Sequence, residues 1–119
     1  MSDKAGRVLL VDDDESFRYA ATKVLEGAGF VVETAPDYRK ALELLEQGVS
    51  VDLLVTDVVM PERVHGFALA RMARMRQLGL KVLYVTGYDV PEVENFGKVL
   101  RKPISDDQLL AEVRQALAG

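Results

Sequence analysis

The chain has 119 residues, 49% of them hydrophobic and 29% charged, which suffices for one domain with its own core. Because it has no cysteine and only one histidine, a disulfide scaffold, a cysteine or histidine zinc site and a thiol nucleophile are excluded. Its 15 basic and 19 acidic residues give a net charge of −4, which argues against nucleic acid as the main partner.

Five short apolar segments, rich in valine and leucine, predict β-strands. They lie at residues 8–11, 31–35, 53–56, 82–86 and 99–100. Most of them are apolar on consecutive positions, which is typical of strands buried on both faces of a parallel sheet.

Segments with helical spacing of apolar residues follow four of the strands. The apolar stripes lie at residues 17–28, 41–45, 67–78 and 109–117. Glycines at positions 29, 48 and 79 are expected to end the first three helices, and Ser105 to Gln108 reads as a capping box that opens the last. This alternation predicts an α/β fold in which a parallel sheet carries helices on both faces. Residues 87–98 have room only for a short or irregular helix.

Polar side chains stand where four of the predicted strands end. Asp12 and Asp13 follow the first strand, Asp57 follows the third, Thr86 ends the fourth and Lys102 follows the fifth. The carboxyl ends of parallel strands form the ligand-binding edge of open α/β sheets. If the first and third strands are neighbours at the centre, we expect these side chains to converge.

The chemistry of this set points to phosphate. Carboxylates without histidine or cysteine favour Mg²⁺, and a lysine with a hydroxyl suits a phosphoryl group. Since no Ser–His or Cys–His pair is available, the natural acceptor is a carboxylate, which would give an aspartyl phosphate.

Four segments now make a resemblance plain: VLLVDDDES, LLVTDVVMP, VLYVTGY and VLRKPI, in that order. Together they resemble the CheY-like receiver domain of response regulators over essentially the whole chain. The resemblance implies a doubly wound, flavodoxin-like (βα)₅ fold with strand order 2-1-3-4-5. It also implies a cytoplasmic phosphoacceptor in two-component signalling, not an enzyme, with Mg²⁺-dependent self-phosphorylation from phosphodonors and slow autodephosphorylation.

The resemblance also assigns roles to residues. Asp57 would accept phosphate from a histidine kinase or histidine phosphotransferase. Asp13, Asp57 and the backbone carbonyl of Val59 would bind Mg²⁺ directly, and Asp12 through water. Thr86 would be the switch hydroxyl, Lys102 would pair with the phosphate, and the following proline, often in a cis bond, would orient that lysine.

Three features depart from the family pattern. Val99 stands where the family usually carries a switch tyrosine or phenylalanine, and the helix between the fourth and fifth strands must be truncated or absent. The segment between Pro61 and Gly66 is one residue longer than usual. We therefore expect intact phosphorylation chemistry with an unusual readout.

Other interpretations remain open at this point. Residues 12–14 could be an acidic helix start, with Asp14 as its cap, and Lys102 could be a solvated surface lysine. A haloacid dehalogenase-type phosphatase would instead place its nucleophile at Asp12. A receiver-fold binding module would lack phosphotransfer.

The expected organisation is one receiver domain over residues 1–119, with no output domain and with an unknown downstream protein. We expect a monomer or weak dimer. No apolar run approaches the roughly 20 residues of a membrane span, so no membrane partner is expected.

Overall fold

The computed structural model describes residues 6–59, 66–87 and 97–118. In chain order the elements are β1 (Gly6–Val11), α1 (Glu15–Gly27), β2 (Phe30–Ala35), α2 (Tyr38–Glu46), β3 (Leu53–Thr56), α3 (Gly66–Arg76), β4 (Lys81–Thr86), β5 (Gly97–Arg101) and α4 (Asp106–Ala118). The strands form one parallel sheet in the order β2-β1-β3-β4-β5, so the predicted fold class and strand order are confirmed.

The sheet is covered on both faces, as its continuous apolar strands predict. Leu9 and Leu54 belong to a core cluster shared with α2 and α3, whereas Val8 and Leu53 belong to a second cluster shared with α1 and α4. Neighbouring residues of β1 and β3 therefore point to opposite faces. Among the described helices, none is long and apolar enough to cross a membrane.

The connection between β4 and β5 comprises residues 87–96, since β4 ends at Thr86 and β5 begins at Gly97. The expected truncation or absence of a helix concerns this connection, and residues 88–96 lie outside the described residues. The longer segment between Pro61 and Gly66 also lies outside the described residues.

Predicted helix boundaries are confirmed for the first two helices. α1 and α2 are followed by Gly29 and Gly48, whose φ angles of +99° and +88° lie in the left-handed region that favours glycine. Asp14 caps α1, because its side chain accepts a hydrogen bond from the N–H of Phe17. The capping box is supported at α4, where Ser105 Oγ accepts a hydrogen bond from the N–H of Gln108 at 3.1 Å.

The prediction for the third helix is wrong at its end. α3 stops at Arg76, and Gly79 does not adopt a positive φ. Met75 and Leu78, expected on the apolar stripe, are 76% and 83% exposed. After Arg76 the chain forms a turn that includes Gly79, closed by the N–H of Leu80 on Gln77 O, and the side chain of Gln77 hydrogen-bonds to the segment before β3.

Candidate functional site

The sheet itself places the two innermost carboxylates. The N–H of Asp12 donates to Ala35 O at 3.1 Å, and the N–H of Asp57 donates to Val11 O at 3.0 Å. Each aspartate therefore continues the hydrogen-bond pattern of its strand by one residue. Because β1 and β3 are neighbours, the two side chains emerge together at the carboxyl edge of the sheet.

Three carboxylates meet at this edge. Asp12, Asp13 and Asp57 each offer an oxygen, and these oxygens all lie within 4.8 Å of one another. Asp12 and Asp57 are only 1% and 6% exposed, whereas Asp13 is open to solvent. Carboxylates this close repel each other, so the cluster fits a hard divalent cation with one side open.

Lys102 brings a positive charge into the cluster. Its Nζ lies 2.8 Å from Asp12 Oδ2 and 3.6 Å from Asp57 Oδ2. The backbone holds the lysine in place, because its N–H donates to Thr86 O at 2.8 Å and the bond to Pro103 is cis, as the resemblance implied. The lysine thus reaches the acidic cluster from β5, across β4 and β3.

Burial and charge shift the pKa values of the Asp12–Lys102 pair. Burial raises the pKa of the Asp12 carboxyl above its usual value, although the hydrogen bond from Lys102 acts in the opposite direction. Burial alone would lower the pKa of the Lys102 ammonium, but the hydrogen bond to Asp12 and the charges of Asp12 and Asp57 together raise it. Lys102 therefore stays protonated. The site disfavours the charged form of Asp12 unless a nearby positive charge neutralises it.

The remaining predicted residues lie at the same edge. Thr86 is fully buried at the end of β4. Val59 is partly exposed beside Asp57, and its N–H donates to Asp57 Oδ1 at 3.2 Å. Val99 is half-buried in β5, in register with Tyr84 of β4. Asp12, Asp13, Asp57 and Lys102 therefore lie close together, and Thr86 is joined to Lys102 through its backbone carbonyl.

Gly66 has a role at the site that sequence reasoning missed. Its N–H donates to Val58 O at 2.7 Å, which anchors the start of α3 behind Asp57. A Cβ at this position would collide with the carbonyl oxygen of Asp57. The glycine at the start of a helical stripe was the available signal, but only the structure shows which backbone atom approaches it.

Two residues of the first turn of α1 were also missed. Arg18 Nη1 donates to Asp12 O at 2.6 Å, and the ring of Phe17 lies over the ammonium of Lys102. The cap at Asp14 contributes as well, since its N–H donates to Asp12 Oδ1 at 2.9 Å. The beginning of α1 is therefore part of the site, not merely the helix that follows it.

Comparison with known proteins agrees with this geometry. A family model described as the response regulator receiver domain matches residues 8–114. The chain is 34% identical to the response regulator receiver protein CpdR of Brucella abortus, across 93% of this chain and 96% of CpdR. It is 36% identical to the sensor kinase CckA of the same organism, across 92% of this chain but only 12% of CckA.

Solved structures show the same similarity. The crystal structure of the receiver domain from the hybrid histidine kinase CckA has a TM-score of 0.83 and 34% identity, covering 94% of this chain and 99% of that domain. The chemotaxis response regulator CheY4 of Vibrio cholerae has a TM-score of 0.82 and 32% identity, covering 94% of this chain and 98% of CheY4.

Proposed function

The chain belongs to the response-regulator receiver family. We propose that Asp57 is its phosphoacceptor and that a histidine kinase or histidine phosphotransferase phosphorylates it. The observation that carries this proposal is the position of the Asp57 carboxylate. It is buried at the end of a central strand, lies 3.6 Å from the ammonium of Lys102 and shares a cluster with Asp12 and Asp13.

The proposed step is a phosphoryl transfer between a nitrogen and an oxygen. A carboxylate oxygen of Asp57 attacks the phosphorus of a phosphohistidine, so that an O–P bond forms while the N–P bond breaks. The imidazole nitrogen keeps the electron pair of the broken bond and takes up a proton. Phosphoryl transfer needs little beyond positioning and charge neutralisation, which Lys102 supplies from one side.

We propose that Mg²⁺ supplies charge neutralisation from the other side. Asp13 and Asp57 would bind it directly with the carbonyl of Val59, and Asp12 through water. The donor set fits, because it consists only of oxygen ligands and one of its carboxylates is open to solvent. When bound, Mg²⁺ offsets the negative charge of the phosphoryl oxygens.

The phosphatase alternative has less support. It requires Asp12 as the nucleophile, yet Asp12 is the carboxylate that the Lys102 ammonium holds more closely, at 2.8 Å compared with 3.6 Å for Asp57. Oδ2 accepts from Lys102 and Oδ1 accepts from the N–H of Asp14.

We propose that the signal leaves through a surface of the receiver unit that a partner protein contacts. The chain would act in the cytoplasm, where it would relay phosphate, compete for it or bind a downstream protein. The start of α1 and the loop at Ile104 flank the site and are the proposed contact surfaces. Thr86 is proposed as the switch hydroxyl.

The decisive experiment is to profile purified histidine kinases and phosphotransferases for transfer to this chain. We expect transfer to the wild type and to the exposed-acid control Asp107→Ala, and none to Asp57→Ala. Mass spectrometry after acetyl phosphate treatment should place one added phosphoryl group on Asp57. Its appearance on Asp12 would favour the phosphatase, and transfer that survives Asp57→Ala would refute the site assignment.

A further inference from the structure

The ammonium of Lys102 has an aromatic neighbour as well as two carboxylates. Its Nζ lies 4.4 Å from the centre of the Phe17 ring, well inside the range of about 6 Å for a cation–π contact. The same nitrogen lies 2.8 Å from Asp12 Oδ2 and 3.6 Å from Asp57 Oδ2. Three different groups therefore surround this one charge.

The position of the Phe17 ring does not depend on the lysine. Phe17 belongs to the first turn of α1, and its N–H donates to Asp14 Oδ1 at 3.2 Å as part of the helix cap. Its half-buried side chain packs against the core cluster that α1 shares with α4. The cap and the core thus hold the ring in place before Lys102 contacts it.

We propose that Phe17 is a positioning residue for Lys102, holding the ammonium over its ring and shielding it from water. The ring contacts the charge without accepting any of its N–H groups in the manner of an oxygen. The ring is not an oxygen acceptor, so it competes only weakly with carboxylate or phosphoryl oxygens for the N–H donors of the ammonium. The side chain of Lys102 is only 20% exposed, and Phe17 lies on the α1 side of it.

The effect of Phe17 on the pairing of Lys102 with a phosphoryl group rests on the proposed function, in which Asp57 is phosphorylated. In the unphosphorylated site the lysine is bound most closely by Asp12, and a phosphoryl group on Asp57 would draw it towards new oxygens. Because the ring attracts the cation in either arrangement, it limits where the lysine can go while competing only weakly for its hydrogen bonds. Phe17 would therefore strengthen the pairing of Lys102 with a phosphoryl group.

The chain contains a matched control for this contact. On the exposed side of α1, Lys23 Nζ lies 5.1 Å from the centre of the Tyr19 ring, away from the acidic cluster. Tyr19→Leu removes an aromatic ring and a cation–π contact from the same helix without touching the site. Phe17→Leu removes the aromatic face but keeps apolar volume, and Phe17→Tyr keeps the face.

The first measurement uses NMR of the unphosphorylated protein without metal. The side-chain methylene signals of Lys102, assigned by their loss in Lys102→Ala, should carry a ring-current shift in the wild type. That shift should persist in Phe17→Tyr and Tyr19→Leu and disappear in Phe17→Leu. Lys102 signals that are the same in the wild type and in Phe17→Leu would overturn the proposal, whatever the outcome for phosphotransfer.

The second measurement is the affinity for beryllofluoride, a phosphoryl mimic, in the presence of Mg²⁺. Phe17→Leu should bind about three to ten times more weakly than the wild type, while Phe17→Tyr and Tyr19→Leu stay within about twofold. A loss in Phe17→Tyr as large as in Phe17→Leu would overturn the positioning role. Failure of the wild type to bind the mimic would instead count against the proposed function.

Discussion

At the scale of single residues, the site is defined by an imbalance of charge. Three carboxylates, Asp12, Asp13 and Asp57, share a small space with one ammonium, that of Lys102. One positive charge against three negative charges leaves two uncompensated, in a place where Asp12 is almost fully buried. Burial is the main reason that the pKa of Asp12 is raised, and the charge of Asp57 adds to it; a divalent cation would offset the excess negative charge.

The raised pKa of Asp12 leads to a pH prediction. A protonated carboxyl carries no charge, so Asp12 would attract Mg²⁺ and its bound water less strongly as the pH falls through the folded-state pKa of Asp12. We therefore expect Mg²⁺ affinity to weaken on acidification at a pH above the ordinary aspartate value of 3.8. NMR titration of Mg²⁺ at constant ionic strength across the acidic range measures this effect.

The matched variants for this titration are Asp12→Asn and Asp107→Asn. Asp12→Asn should bind Mg²⁺ more weakly overall and move the pH dependence to lower pH, whereas Asp107→Asn should behave like the wild type. A wild-type affinity that stays flat down to the range of an ordinary aspartate would contradict the prediction.

Gly66 gives a second prediction at this scale. Because a Cβ there would collide with the carbonyl oxygen of Asp57, Gly66→Ala must displace either α3 or Asp57, the proposed phosphoacceptor. We expect the free energy of unfolding to fall by about 1–3 kcal/mol, as for overpacked sites, and phosphorylation to slow by about tenfold to a hundredfold. Denaturant melts and initial rates with acetyl phosphate measure the two effects.

The control is Gly27→Ala, because nothing lies within 4 Å of a Cβ added at the end of α1. That variant should phosphorylate normally and be as stable as the wild type or slightly more so. If Gly66→Ala matches Gly27→Ala in both stability and phosphorylation rate, the close approach of Gly66 to Asp57 does not affect function.

Sequence reasoning reached some of these residues and not others for a physical reason. Asp57 and Lys102 could be placed because the end of a strand is visible in the sequence and parallel strands end at one edge. Phe17, Arg18 and Gly66 could not, because their roles depend on how closely a helix approaches the edge. That distance is set by packing of the whole core, not by local periodicity.

At the scale of elements, the end of α3 shows the same limit. Apolar spacing continues to Leu78, yet the helix ends at Arg76, and the side chain of Gln77 then joins the segment that leads into β3. Its Oε1 accepts from the N–H of Val51 at 2.9 Å, and its Nε2 donates to Val49 O at 2.8 Å. One amide side chain thus completes the hydrogen bonding of a neighbouring backbone segment.

We predict that Gln77→Ala destabilises the fold by about 1–3 kcal/mol, since it leaves the N–H of buried Val51 without its partner. Gln77→Glu should also destabilise, because a carboxylate cannot donate to Val49 O. Gln115→Ala, an exposed glutamine on α4, is the control and should stay within about 0.5 kcal/mol. Urea unfolding measures the loss in the free energy of unfolding, provided that the m-value is unchanged. Equal stability of Gln77→Ala, Gln77→Glu and Gln115→Ala would contradict the prediction.

At the scale of the whole molecule, the question is how a change at Asp57 reaches a partner. β5 carries Val99 where the family usually has an aromatic switch residue, and its cross-strand neighbour is Tyr84 of β4. Tyr84 is fully buried, with its ring 4.8 Å from that of Phe67 at an interplanar angle of 75°. The two aromatic rings on this face of the sheet, those of Tyr84 and Phe67, are thus packed between β4 and α3.

Lys102 offers a different route outward. Its ammonium contacts the acidic cluster and Phe17 of α1, and the residues that follow it lead directly to Ile104, which packs with α1 and α4. A phosphoryl group that draws the lysine towards Asp57 would therefore be felt first at the start of α1 and in the loop at Ile104. Val99 has no large side chain that could swing in response.

We predict that beryllofluoride with Mg²⁺ causes its largest amide shift changes around Asp57, at residues 12–18 and at residues 102–104. Light scattering should show the same molecular mass before and after the mimic is added, because this route creates no new apolar surface on β5. Phe17→Leu should reduce the changes within α1, and Tyr19→Leu should not. Shift changes centred on residues 87–99, accompanied by dimer formation, would mean that the signal still leaves through β5 despite the missing aromatic.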